Sequence, residues 1–188
     1  MRHRLILILS LFILSMACNQ YSDGIYQSSY PNLISGERNL AELKSNQFNI
    51  FIAFANDCPV CKSSIPTLRV INKDYPNVGI VLFYPNNPLD SSINKFINGL
   101  LPMEIVKVKD KNKRLTKFFN AEVTPQAFVV DSVGTVIYKG AIDNSVFTNY
   151  RKNYNPKESF LINALDTLVN LNLTLKQNET KAVGCYIE

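Results

Sequence analysis

The chain has 188 residues, 46% of them apolar, which suffices for one ordinary domain with a hydrophobic core but not comfortably for two. The formal charge of +5 falls to +3 when the two arginines of the first four residues are set aside, and the other basic residues are scattered. The one basic cluster, residues 107–114, contains an acid and is typical of an exposed helix start, so no nucleic-acid partner is expected.

The first segment has the pattern of a secretory signal peptide. Two arginines precede an almost unbroken apolar run over residues 5–14, which is shorter than the ~20 residues that a membrane-spanning helix needs. Ala17 stands directly before Cys18, an arrangement that resembles the lipobox of bacterial lipoproteins. We therefore expect residues 1–17 to be a signal peptide and Cys18 to be the lipid-attached residue. Simple secretion without a lipid is the alternative.

Composition divides the remaining chain into three predicted segments. The chain up to about Gln47 is rich in Ser, Asn, Tyr and Gly, and its first part, residues 18–32, is predicted to be a lipid-anchored tether. The domain is predicted over residues 33–171, and a C-terminal tail over residues 172–188.

Strands and helices alternate along the first part of the predicted domain. A continuous apolar run over residues 48–55 is typical of a strand that is buried on both faces. Pro59 suits the first turn of a helix, and apolar residues follow it at helical spacing up to Tyr75. The next elements are predicted as a strand at 78–84, a helix at 89–101, a strand at 105–108 and a helix capped by Asp110. This alternation indicates an α/β domain with parallel strand pairing.

The pattern changes after Pro125. Residues 126–130 and 135–139 are apolar runs on either side of a turn that contains Asp and Gly, which predicts a β-hairpin. The sequence Asn155-Pro156-Lys157-Glu158 then offers an N-cap, a Pro at the first helical position and a Glu at the third. This capping-box pattern predicts that Asn155 is the N-cap of the last helix.

Cys58 and Cys61 are separated by two residues at the predicted strand-to-helix junction. One helical turn brings two such sulfurs within bonding range, and the partial positive charge of the helix start favours a thiolate on Cys58. We expect Cys58 to attack first and Cys61, one turn further in, to resolve the mixed disulfide. A structural disulfide or half of a zinc site is the alternative, but zinc needs two more ligands and no His follows residue 17. No metal is therefore expected.

The order of these elements is that of the thioredoxin fold: strand, Cys-x-x-Cys, helix, strand, helix, x-Pro and β-hairpin. On this order the chain resembles thioredoxin-like proteins over about residues 33–171, and within them the membrane-anchored thiol–disulfide reductases of the bacterial envelope and redoxin-domain proteins. Pro66, five residues after the second Cys, and residues 123–140, which look like the cis-Pro strand and hairpin, carry the resemblance.

The resemblance implies a central mixed sheet flanked by helices and thiol–disulfide exchange at Cys58 and Cys61. It implies a cis Thr124–Pro125 bond that faces the cysteines, so that the Thr124 backbone can pair with an extended substrate, and it places Pro59 at the substrate surface. The implied partners are protein thiols or disulfides and an electron donor, with no cofactor. The implied location is the bacterial cell envelope, through the lipid anchor.

Three departures from the family pattern concern the surroundings of the cysteines. Asp57 replaces the usual Trp before the first Cys, and the chain has no Trp at all. The positions where related proteins carry a buried acid are Ile52 and Ser64 here. Recognition around Cys58 is therefore expected to differ, and the direction of the redox reaction is left open.

Two other functions compete with this one. A thiol peroxidase of the peroxiredoxin type shares the fold, but its P-x-x-x-T-x-x-C motif would require Thr at Ala55 and Pro at Phe51. A non-catalytic anchored binding module, in which the cysteine pair is only structural, is the second. A measurement of the Cys58 thiol pKa would distinguish this binding module from the two enzymes.

Cys185 is the thiol that these assignments leave unpaired. It either packs as a small apolar residue or approaches Cys58 as a third redox thiol. The neighbouring Val183, Tyr186 and Ile187 are typical of a short docking strand, so we expect Cys185 to pack and to form no disulfide with Cys58.

Overall fold

The computed structural model describes residues 23–31, 37–86, 99–101, 104–144, 147–148, 151–152, 158–170 and 178–188. Three α-helices are described over their whole length: α1 (Pro59–Asp74), α2 (Arg114–Phe119) and α3 (Phe160–Leu165), the last continuing into a π-helical turn at Asp166–Asn170. Residues 99–100 are the described part of a further helix. Short 3-10 turns cover Asp23–Ile25, Leu40–Ser45 and Lys111–Lys113. The described strands are β1 (Ser29–Pro31), β2 (Glu37–Asn39), β3 (Phe48–Ala53), β4 (Val78–Tyr84), β5 (Val106–Lys109), β6 (Val123–Thr124), β7 (Gln126–Asp131), β8 (Val136–Gly140), β9 (Phe147–Thr148), β10 (Arg151–Lys152), β11 (Asn178–Glu179) and β12 (Cys185–Tyr186).

A six-stranded mixed sheet with the order β11-β8-β7-β3-β4-β5 forms the centre of the fold. The inner strand β3 pairs in parallel with β4 and antiparallel with β7, so that Ala53 lies opposite both Phe83 and Gln126. The hairpin of β7 and β8 forms as predicted, and β11 extends the sheet by pairing in parallel with β8. The predicted α/β class with a central mixed sheet flanked by helices is confirmed.

Both faces of β3 are buried, as its continuous apolar run predicts. Ile50 and Ile52 point into a core on one side of the sheet, to which α1 and α3 contribute Leu68 and Leu165. Phe51 points into the core on the other side, which includes Phe119 of α2. Aromatic rings fill the second core, where Phe119 stacks on Phe128 with ring centroids 4.5 Å apart. The end of this doubly buried strand leads into the cysteine motif.

The last helix begins later than the capping-box pattern predicts. Ser159 is its N-cap, with an extended backbone, and its hydroxyl oxygen accepts from the Ile162 amide at 3.3 Å. The same hydroxyl donates to the Ile142 carbonyl, and the Glu158 carbonyl accepts from Asn144, which holds residues 158 and 159 outside the helix. The prediction of Asn155 as the cap was therefore wrong, because these tertiary contacts override a local pattern. Asn155 itself lies outside the described residues, as does most of the helix predicted at 89–101.

The segments predicted to direct export also lie outside the described residues. These are the signal peptide at 1–17 and the lipid-attachment residue Cys18. Within the described ranges, none of the helices has the length and apolar character needed to cross a membrane.

Candidate active site

Cys58 lies at the junction between the central strand and the first helix. It is the N-cap of α1, with φ −74° and ψ 119°, and Pro59 follows at the first helical position. The amide of Lys62 bonds to the Cys58 carbonyl at 3.2 Å, which closes the first turn. Proline at the first helical position removes no hydrogen bond of the helix, because the amide there has no helical partner. The side chain of Cys58 is buried, whereas Asp57 before it and Pro59 after it are exposed.

Cys61 is a free thiol one turn inside α1, and it is fully buried. Burial raises its pKa from 9.0 to about 12; hydrogen bonds from the Ala55 amide and the Thr124 side chain lower it, and the charge of Asp57 raises it further. The Ala55 amide nitrogen lies 3.4 Å from the Cys61 sulfur. At neutral pH this thiol is therefore protonated.

The predicted Pro125 loop faces the cysteines. The Thr124–Pro125 peptide bond is cis, as predicted. The Cys58 sulfur lies 3.2 Å from the Thr124 carbonyl oxygen. A small cavity adjoins this contact and is lined by Val60, Ser64, Pro125, Ala141, Ile142, Asp143 and Val183. The structure therefore brings together the residues predicted for attack, resolution and substrate pairing.

Cys185 forms a disulfide with Cys58, with their Cα atoms 6.2 Å apart. The prediction that Cys185 packs without a disulfide to Cys58 was therefore wrong. Its neighbours do dock as a short strand, but this strand, β12, pairs antiparallel with β6 and not with the core sheet. The pairing puts Cys185 opposite Thr124, which is the residue in contact with the Cys58 sulfur. Docking of the strand and formation of the disulfide therefore occur together in one arrangement.

Tyr84 lies near the cysteines and is not predicted as a site residue from the sequence. It ends β4, its side chain is buried in the same apolar cluster as Cys61, and its hydroxyl has no hydrogen-bond partner in the described part of the chain. Burial raises its pKa, and the negative charge of a Cys61 thiolate would raise it further. In the sequence Tyr84 is only the last residue of an apolar run, so no local signal separates it from core residues.

Comparisons with known proteins identify the family and the fold of the chain. The model of the Redoxin family matches residues 30–153. A structure of an uncharacterized conserved protein from Geobacillus kaustophilus superposes with a TM-score of 0.71 at 22% identity, covering 85% of this chain and 87% of that one. None of the curated proteins compared with the chain matches it.

The chain is also similar to structures of disulfide oxidoreductases. A secreted disulfide oxidoreductase of Mycobacterium tuberculosis homologous to E. coli DsbE has a TM-score of 0.55 at 15% identity, over 79% of this chain and 98% of that one. The thioredoxin domain of a thiol-disulfide oxidoreductase from Bacteroides vulgatus has a TM-score of 0.56 at 15% identity, over 76% and 93%. At these identities the likeness shows the fold, and the thioredoxin-like fold expected from the sequence is confirmed.

Proposed function

The chain belongs to the redoxin family, and on that premise we propose that it is a protein thiol–disulfide oxidoreductase with Cys58 as the attacking thiol and Cys61 as the resolving thiol. One observation carries the proposal. Cys58 is joined through sulfur to a segment that pairs as a strand with Thr124, while Cys61 lies free beneath it. An extended polypeptide held by strand addition and linked to the first cysteine has the geometry of a mixed-disulfide intermediate.

The reaction consists of two exchange steps. The Cys58 thiolate, favoured by the partial positive charge at the start of α1, attacks one sulfur of a substrate disulfide, and the other substrate sulfur leaves as a thiolate and takes up a proton. Cys61 then loses its proton and attacks the Cys58 sulfur. This step forms the Cys58–Cys61 disulfide and releases the second substrate thiol. An external dithiol, the proposed electron donor, returns the pair to the reduced state.

The assay is reduction of insulin by dithiothreitol, measured in a Cys185→Ser background so that the chain's own third thiol does not compete. The additional change Cys58→Ser is expected to abolish the catalysed rate. Equal rates with and without Cys58 would support the non-catalytic binding module. Faster consumption of hydrogen peroxide than of insulin disulfide would support the thiol peroxidase, and either outcome would overturn the proposal.

We also propose that the protein is exported and held at the membrane of the bacterial envelope by a lipid on Cys18. The support is the sequence pattern of residues 1–18 and the fold shared with a secreted oxidoreductase. Cys18→Ser is expected to move the protein from the membrane fraction to the soluble fraction without changing its thiol chemistry. Retention of the variant in the membrane fraction would contradict the anchor.

A further inference from the structure

We propose that the segment 178–188, which we call the tail strand, is a built-in substrate, and that Cys185 is a third redox thiol that Cys61 displaces from Cys58. The inference rests on the proposed function and deepens it in two ways. It gives the site a closed state, in which the tail strand occupies the place of a substrate. It also names a substrate class: extended polypeptides with a glycine directly before the reacting cysteine and an apolar residue two positions after it.

The backbone of the tail strand makes the contacts that an extended substrate would make. β12 pairs antiparallel with β6, with Cys185 opposite Thr124 and Tyr186 opposite Val123. The Ile187 amide donates to the Glu122 carbonyl at 3.0 Å, and the Thr124 hydroxyl donates to the Cys185 carbonyl at 3.4 Å. Backbone pairing of this kind is independent of sequence, so a polypeptide from another protein can replace the tail strand.

The side chains of the tail strand define what the site accepts. They alternate as in any strand. Cys185 meets Cys58, Tyr186 is 84% exposed, and Ile187 is half-buried against an apolar cluster of the domain. A Cβ atom at Gly184 would lie 2.7 Å from the carbonyl carbon of Thr124 and 3.1 Å from the Pro125 nitrogen. The position before the cysteine therefore requires glycine, whereas the position after it tolerates any side chain.

The base of the tail strand is held at a second place, on the edge of the central sheet. β11 pairs in parallel with β8, and the Thr180 amide donates to the Lys139 carbonyl at 3.0 Å. The Thr180 hydroxyl is 2.7 Å from the Tyr138 hydroxyl and accepts from the Ala141 amide at 3.0 Å. When the disulfide to Cys58 breaks, these contacts keep residues 181–188 tethered close to the site. Because it is tethered, Cys185 has a higher effective concentration near Cys58 than a free substrate thiol has.

Release of the tail strand needs no external oxidant or reductant. Cys61 loses its proton to solvent, and its thiolate attacks the Cys58 sulfur. The Cys58–Cys185 bond breaks, the Cys58–Cys61 bond forms, and Cys185 leaves as a thiolate that takes up a proton. The protein thus has two isomers at the same oxidation level. In the closed isomer the tail strand covers Thr124, and in the open isomer the backbone of Thr124 is available to a substrate.

The first test is disulfide mapping by mass spectrometry after oxidation in a glutathione buffer and acid quenching. Three full-length proteins that keep all their thiols are compared: the parent, Gly184→Val and, as the matched control, Tyr186→Ala. Gly184→Val is expected to lower the ratio of Cys58–Cys185 to Cys58–Cys61 by about tenfold or more, because the added side chain overlaps Thr124. Tyr186→Ala is expected to leave the ratio unchanged. An unchanged ratio in Gly184→Val, an equal fall in both variants, or Cys58–Cys185 links formed only between two chains would each overturn the inference.

A second test separates this inference from the proposed function. The Cys185→Ser protein is reduced and mixed with the symmetrical disulfide of the peptide Lys-Ala-Val-Gly-Cys-Tyr-Ile-Glu, or with the same peptide carrying Val for Gly. The glycine peptide is expected to be reduced at least about tenfold faster than the valine peptide. Equal, fast reduction of both would overturn the inference and leave the proposed function standing. Reduction of neither above the rate of free cysteine would overturn the proposed function.

Discussion

In the proposed mechanism, Cys61 sets the rate at which a disulfide on Cys58 is resolved. Burial raises its pKa to about 12, so only a minute fraction is thiolate at pH 7. Its position one turn from Cys58 compensates, because an attack within the same helix needs no diffusional encounter. The exchange step should therefore be limited by ionisation of Cys61.

The rate at which Cys185 is released from Cys58 should therefore depend on pH. Starting from the Cys58–Cys185 form, the rate at which Cys185 becomes available to an alkylating reagent should rise about tenfold per pH unit between pH 7 and 9, since the thiolate fraction rises tenfold per unit below the pKa. The rate is measured by quenching with the reagent and quantifying modified Cys185. Cys61→Ser, the control, should release no Cys185. A flat profile would show that Cys61 ionises below pH 7.

The two buried tyrosines near the site differ in how their hydroxyls are satisfied. Tyr138 donates to the Ala141 carbonyl at 2.6 Å and contacts the Thr180 hydroxyl, whereas the Tyr84 hydroxyl has no partner among the described residues. Removing a bonded buried hydroxyl leaves its partners unsatisfied, and removing an unbonded one does not.

Tyr138→Phe should therefore lower the free energy of unfolding by about 1–2 kcal/mol, and Tyr84→Phe should leave it unchanged or raise it slightly. Urea denaturation of both variants, in the same disulfide state as the parent, measures the difference. An equal loss in Tyr84→Phe would mean that its hydroxyl is hydrogen-bonded in the folded protein.

At the scale of elements, local patterns in the sequence predicted the part of the site that is local. The buried run of β3, Pro59 at the start of α1 and the cysteine spacing together predicted the strand–Cys-x-x-Cys–helix unit. The Pro125 loop was placed by its order in the chain, because neither composition nor spacing tells how near it lies to Cys58.

The elements that were predicted wrongly depend on contacts far apart in sequence. The start of α3 is set by bonds from Ser159 and Glu158 to Ile142 and Asn144. The disulfide of Cys185 joins residues 127 positions apart, and it depends on the pairing of β12 with β6. The signal that could have found it is Gly184, since a glycine directly before a cysteine in a docking strand indicates a close backbone approach.

The pairing of β11 with β8 should favour the Cys58–Cys185 disulfide, because it holds the base of the tail strand on the sheet. Thr180→Val keeps the shape of the side chain but loses its bonds to Tyr138 and Ala141, so the ratio of Cys58–Cys185 to Cys58–Cys61 should fall about tenfold after equilibration in a glutathione buffer. Glu179→Gln is the matched control. Its ion pair with Lys139 spans 3.8 Å, and the Glu179 carboxylate is largely exposed, so it should leave the ratio unchanged. A fall in the control, or none in Thr180→Val, would contradict this role of the pairing.

At the scale of the whole molecule, the closed isomer with its Cys58–Cys185 disulfide should limit which proteins the variant Cys61→Ser captures. In related reactions, replacing the resolving cysteine preserves the mixed disulfide with the substrate. Here the tail strand already occupies that position, so Cys61→Ser alone should accumulate the intrachain Cys58–Cys185 disulfide and capture little external protein. Non-reducing electrophoresis with mass mapping checks this. Abundant external adducts on Cys61→Ser would contradict closure by the tail strand.

The measurement that tests the central claim most directly is trapping with the double variant Cys61→Ser, Cys185→Ser, which has neither a resolving thiol nor a competing tail thiol. Mixed with a disulfide-containing protein such as insulin, it should form a stable adduct that mass spectrometry maps to Cys58. The matched variant Cys58→Ser, Cys185→Ser should form none, because the Cys61 thiol is buried and protonated. An adduct on Cys61 of the matched variant, with none on Cys58 of the first, would contradict the account.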